Sequence, residues 1–236
     1  MNKERDVLQK AVEATPRVEL PQAEIVSGTL ESLASFSAKE PQKDSSGRFR
    51  YLLTGGLAVE AITGVSRFHH DTDLVIFDFR DRWWQKYDTD NVDAQRYWAN
   101  LSFDPVYLEE TAWKADYNAN GENHEIYTVH PAIILVQKLS DAWDRLPRER
   151  DYKDASELII YRITELNDDP SWNSVAQKAF FARSQIDFLT DRDPFHRLVF
   201  LTMQIRESLG PSYIQAFRER AEAAHPHLAM RRRINA

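Results

Sequence analysis

The residues best equipped for chemistry lie in "YLLTGGLAVEAITGVSRFHHDTDLVIFD", residues 51–78, where Asp71 and Asp73 are separated by Thr72 alone. On an extended strand, residues two apart project to one face with Cα atoms about 7 Å apart, so the two carboxylates converge while Thr72 points away. Left alone they repel. A divalent cation removes that conflict: Mg²⁺ (or Mn²⁺) takes oxygen ligands and is held by one or two carboxylates together with the phosphates of a nucleotide. The strand runs on as "LVIF", which ties the pair to a rigid buried element. Metal geometry needs that rigidity.

Upstream, Thr54-Gly55-Gly56 follows a strand and precedes a helix. Small residues there let the backbone approach a ligand closely, and N–H groups at a helix N-terminus face a phosphate. A Gly-Gly turn alone is most simply a strand-to-helix connection. Joined to an Asp-x-Asp strand it forms a two-part pattern of phosphate grip and metal clamp. His69 and His70 do not extend it to zinc, because adjacent residues on an extended chain point to opposite sides. His70 is read as support for the metal strand.

These groups need elements to position them. "RYLLTGG" reads as a short buried strand, "LAVEAITG" as a helix closed by Gly64, and "TDLVIFDF" as a second strand. Residues 80–99, rich in Trp and Tyr, are expected to be helical with an interruption at 88–90, and 103–108, 111–117 and 124–129 are strand candidates. Beyond Pro131 the pattern is helical. Leu135, Leu139, Ala142 and Leu146 form one stripe, Lys138, Asp141 and Arg145 another face, and "RERDYKDASELIIYRITEL" a second helix, with further helices at 171–189, 194–209 and 211–224. The expected fold is α/β (α+β), a mixed sheet flanked by helices. It divides into an N-terminal helical extension (1–45), an α/β core (46–130) and a helical C-terminal domain (131–236).

Composition sets the bounds. The chain has 236 residues, 42% of them hydrophobic, enough for a sizeable core. No apolar run spans a bilayer and "MNKERDVLQK" is not a signal peptide, so a cytoplasmic protein with no membrane partner is expected. Without cysteine, disulfides, thiol nucleophiles and Cys-ligated zinc are excluded, and any metal must be held by oxygen or imidazole. The formal charge of −7 argues against a surface that coats nucleic acid; Arg231-Arg232-Arg233 is a local exception that reads as a solvated tail.

The stretch "LTGGLAVEAITGVSRFHHDTDLVIF" resembles the signature of the DNA polymerase β-like nucleotidyltransferase superfamily, in which Gly-Gly or Gly-Ser precedes an Asp-x-Asp strand. Its nearest likeness is to the small bacterial members: antibiotic nucleotidyltransferases and abortive-infection type nucleotidyltransferase toxins. Arg67, His70, Asp71 and Asp73 match. "HPAIILVQKLSDAWDRLPRERDYKDASEL" resembles the later half of those families, a Lys-Leu helix leading to an Arg and an Arg/Lys-Asp-x-x-Asp segment. The likeness covers about residues 50–160, with Thr72 standing where a hydrophobic residue is usual.

The resemblance implies transfer of a nucleoside monophosphate from a nucleoside triphosphate to a hydroxyl-bearing acceptor. That acceptor is a small molecule such as an aminoglycoside or lincosamide, or RNA or protein if the chain is a toxin with an antitoxin partner. It also implies a third carboxylate on a later strand, as metal ligand or base; Asp116 is the first choice and Glu125 the second. Thr54, Gly55, Gly56 and Arg67 would face the nucleotide. Lys138 and Arg145 would hold phosphate oxygens, or else form an exposed face paired with Asp141. Asp151 and Asp154 would orient Lys138, Arg145 or the acceptor, or else stabilise a helix N-terminus through its dipole. A member that binds nucleotide or a partner without turnover is the remaining alternative.

Overall fold

A computed structural model describes residues 28–66, 69, 71–78, 83–87, 92–96, 104–140, 149–165, 170–187, 197, 198 and 201. Helix α1 (Leu30–Lys39) leads through residues 40–50, which carry a Lys43–Phe49 bridge, into strand β1 (Tyr51–Thr54), which passes directly into α2 (Gly55–Thr63). Gly64 ends α2 in the left-handed conformation (φ 73°), which glycine adopts without the steric cost of a Cβ. Strand β2 (Thr72–Ile76) follows, then a single 3₁₀ turn (Trp83–Lys86) and β3 (Val92–Arg96).

A short helix α3 (Pro105–Glu110) precedes the hairpin of β4 (Trp113–Ala119) and β5 (Glu122–Thr128). Asn120 and Gly121 close that hairpin with positive φ (54° and 80°), the pairing that a tight two-residue turn demands. Helices α4 (Pro131–Leu139), α5 (Glu149–Glu165) and α6 (Pro170–Asp187) complete the described chain.

The five strands form one mixed sheet in the order β3-β2-β1-β5-β4. β2 runs antiparallel to β1 and parallel to β3, while β5 runs parallel to β1 and antiparallel to β4. This is the expected α/β class. Leu52, Leu53, Leu74, Val75, Ile76 and Ile126 have no exposed surface, and α1, α2 and α4 contribute Leu33, Leu57 and Ile133 to the same core. The three sequence segments thus share one apolar interior.

Helix α4 is buried from Pro131 to Val136, and its side chains at Gln137 and Lys138 are the half-buried ones. Its β-branched run is tolerated because the helix is enclosed by α5 and α6, where burial outweighs the small propensity penalty. His130 starts it by accepting a hydrogen bond at Nδ1 from the Ala132 N–H (3.1 Å).

Two expectations fail here. Of the strand expected over 103–108, the described residues 104–108 do not form one: Asp104 accepts a hydrogen bond from the Val106 N–H at 2.7 Å, and Pro105 occupies the first turn, so the segment starts a helix. Within 80–99, the described residues give a 3₁₀ turn and a strand in place of a helix. The Trp and Tyr residues that suggested a helix face pack elsewhere, with Trp83 and Tyr87 closing on Phe36 and Tyr51. The helices expected over 194–209 and 211–224 lie almost wholly outside the described residues, and Arg67, His70 and Arg145 lie outside them altogether.

Candidate active site

The site stands at one end of the sheet, where β1 turns into α2 and β2 begins. Thr54, the last residue of β1, is in register with Asp73 of β2. Thr72 is fully buried, whereas Asp71, just before β2, and Asp73 within it are half-buried, as expected if the two acids share the face opposite Thr72. Thr72 occupies its buried position much as a hydrophobic residue would.

Gly55 explains its own identity twice. Its φ of +68° is a conformation that side-chain-bearing residues rarely adopt, and a Cβ placed there would collide with the Asp73 carboxylate, 2.5 Å from its Cγ. Asp73 is thereby pressed against the turn. Thr54 gives α2 no side-chain cap, so the N–H groups of the first turn are not covered by its hydroxyl.

Gly56 faces a second set of groups. A Cβ there would fall 2.7 Å from His69 Nδ1 and 3.8 Å from Asp154 Oδ2. Asp154 holds Lys138 Nζ at 2.6 Å, and Asp151, one turn earlier on α5, lies 3.4 Å from the same nitrogen. The side chains of Lys138, Asp151 and Asp154 are only 15%, 8% and 4% exposed. An ammonium ion so far out of water needs both acids, and the acids need it. Asp151 and Asp154 thus both pair with Lys138, while Asp141, its other expected partner, lies outside the described residues.

The structure therefore brings Thr54, Gly55, Gly56, Asp71, Asp73, Lys138, Asp151 and Asp154 to one end of the fold. It does not bring Asp116 or Glu125 there. Those two face each other across the β4–β5 hairpin: Asp116 on β4 is three strand spacings from β2, about 14 Å, and Glu125 on β5 is two, about 10 Å, and lies a further three residues, about 10 Å, along β5 from Thr128, the partner of Leu53. One ion with ligand distances near 2.1 Å cannot span that gap. Lys114 pairs with Glu125 instead, and that bond holds the Lys114 ammonium above its usual range.

The sequence reading missed Asp93. β3 lies beside β2 in parallel register, and Asp93 is the partner of Asp73. Its side chain stands on the same sheet face, at the same end. The available signal was "VDAQ", an acid between two apolar residues, which an expected helix over 80–99 concealed. Among the described residues, no three His, Asp or Glu side chains are gathered closely enough to hold a metal ion by themselves. Two carboxylates on one strand fit an ion that takes its remaining oxygens from phosphate and water.

No protein-family profile matches the chain, and no curated protein matches it. Among solved structures, it is similar to an antigenic nucleotidyltransferase-like protein from Paracoccidioides brasiliensis, with 16% identity and a TM-score of 0.37 over 70% of this chain and 92% of that one. Among the described residues, no helix is long and apolar enough to cross a membrane.

Proposed function

We propose that the protein is a metal-dependent nucleotidyltransferase that moves a nucleoside monophosphate from a nucleoside triphosphate to a hydroxyl group. The observation that carries this reading is the contact between the Asp73 carboxylate and Gly55, which sets an acidic strand directly against the opening turn of a helix. That arrangement suits a triphosphate lying on the turn beside an ion on Asp71 and Asp73.

When bound, Mg²⁺ or Mn²⁺ would neutralise charge on the phosphates as the transition state forms. The residues of the chain do the rest. Gly55 and Gly56 offer backbone N–H groups to the phosphates, and Thr54 fixes the start of that turn by pairing with β2. Lys138, set against the turn through Asp154, supplies a point charge for a phosphate oxygen. The acceptor oxygen bonds to the α-phosphorus, the bond from that phosphorus to the bridging oxygen breaks, and pyrophosphate leaves. The acceptor proton passes to a carboxylate, for which Asp93 takes the place first given to Asp116.

The acceptor class follows from two opposed features. The acidic balance of the chain favours a cationic, hydroxylated small molecule, whereas the Lys138, Asp151 and Asp154 segment resembles the toxin-like members that act on RNA or protein. Incubation with each labelled triphosphate, Mg²⁺ or Mn²⁺, and separately RNA, cell protein or a panel of hydroxylated antibiotics distinguishes them. Label retained on one acceptor class supports transfer and names the class. Nucleotide binding without transfer to any of them replaces it with the non-catalytic reading.

A further inference from the structure

We infer that His69 is a positioning residue for the Gly55–Gly56 turn, braced on one side by Glu60 and on the other by the backbone at Gly28; this rests on the nucleotidyltransferase reading of the turn. The His69 side chain is 7% exposed, and its Nε2 lies 2.8 Å from Oε2 of Glu60, which is equally buried. A carboxylate can only accept, so Nε2 carries the hydrogen and the ring orientation is set by Glu60. Glu60 belongs to α2, the helix whose first residues are the turn itself. The other ring nitrogen, Nδ1, is directed at Gly56, where it occupies the space that any side chain would need. Among the described residues, the only hydrogen bond of this ring is the one through Nε2.

The opposite side is just as tight. A Cβ on Gly28 would lie 2.7 Å from both Cβ and O of His69 and 2.8 Å from its carbonyl carbon. His69 is thus held between two glycines, one in the segment that leads into α1 and one in the turn. It also lies three residues before β2, with Asp71 two residues on. One residue therefore links the turn to the segment before the carboxylate strand, and Asp154 of α5 approaches the same point above Gly56. Backbone donors grip a phosphate well only if their direction is fixed beforehand, and a ring filling the gap beside Gly56 fixes it. A buried His–Glu pair that served folding alone would lower stability when broken, and affinity only in proportion.

The test uses the full chain and measures, by calorimetry with Mg²⁺ present, the affinity for each of the four nucleoside triphosphates beside the melting temperature. His69→Ala is expected to weaken binding by about 10- to 100-fold. His69→Gln, whose amide can still donate to Glu60, is expected to recover most of that loss at a similar melting temperature. If His69→Ala does not fold, Gly28→Ala carries the same test: its methyl group lies outside the turn, and a loss of about tenfold is expected. Full affinity in whichever variant folds overturns the inference, as does failure of His69→Gln to recover any binding. In either case, loss of binding in Asp73→Asn leaves the nucleotidyltransferase reading standing. If the unmodified protein binds none of the four triphosphates, that reading fails and this inference falls with it.

Discussion

The two ends of the sheet both place acids side by side on neighbouring strands, and they resolve the conflict differently. On the β4–β5 hairpin, Asp116 and Glu125 are cross-strand partners, and Lys114 on the same face forms an ion pair with Glu125. The Lys114 and Glu125 side chains are largely in water, where such charges interact weakly, and Asp116 beside them is half-buried. At β2–β3, Asp73 and Asp93 are partners in the same way, with Asp71 sharing their face, but the neighbour pressed against Asp73 is the backbone of a glycine turn. Like charges on a sheet are thus no signal by themselves. What marks a site is the element opposite them: an exposed lysine in one case, the start of a helix in the other.

This contrast is broken most forcefully by two matched substitutions. Asp73→Asn should lower nucleotidyl transfer by more than about 10³, whereas Asp116→Asn should leave it within about twofold, measured as release of labelled pyrophosphate. Equal losses would abolish the distinction between the two ends. Lys138 sharpens it next. Lys138→Met removes a buried ammonium from between two buried carboxylates and should cost about 3–5 kcal/mol of stability in urea unfolding, partly restored by adding Asp154→Leu. The exposed counterpart, Lys114→Met, should leave the urea midpoint unchanged.

Asp93 gives the third comparison. Asp93→Asn should bind Mg²⁺ and triphosphate through Asp71, Asp73 and the turn, yet transfer roughly 10² more slowly. Loss of binding and transfer together would make it a ligand and not a base. The smallest effect is a pH dependence set on the hairpin side. Burial pushes the Tyr117 phenol up to about 12 from its ordinary 10. Its folded pKa is the higher one, so its contribution to stability is intact below pH 10 and is lost as pH rises from 10 through 12. Tyr117→Phe should reduce that slope without abolishing it, because burial also raises the Tyr51 and Tyr87 phenols.

Much of this was legible in the sequence because local signals and tertiary demands agree. The apolar run before Gly55, the αL glycine at 64 and the Asn120-Gly121 turn each dictate a local geometry that the fold retains. Asp71 and Asp73 were legible because a two-residue period fixes their face whatever surrounds them. The place of Asp93 beside Asp73 was not, because it comes from the register between β2 and β3, and no short-range feature encodes which strand lies beside which. Aromatic residues in 80–99 suit strand and helix faces alike, and reading them as a helix moved the third acid to the next strand in the chain, at the far edge of the sheet. His69 was passed over for its neighbour for a similar reason: its role depends on Gly28 and Gly56 meeting across it in space.

The central claim is that the acids at β2 and the glycine turn form one metal-dependent triphosphate site. Its most direct test is calorimetric titration of the unmodified protein with each nucleoside triphosphate, with and without Mg²⁺. The account predicts binding of at least one triphosphate that requires the cation and disappears in both Asp71→Asn and Asp73→Asn while Asp116→Asn binds normally. Binding that is indifferent to Mg²⁺, or that survives both substitutions, would contradict it.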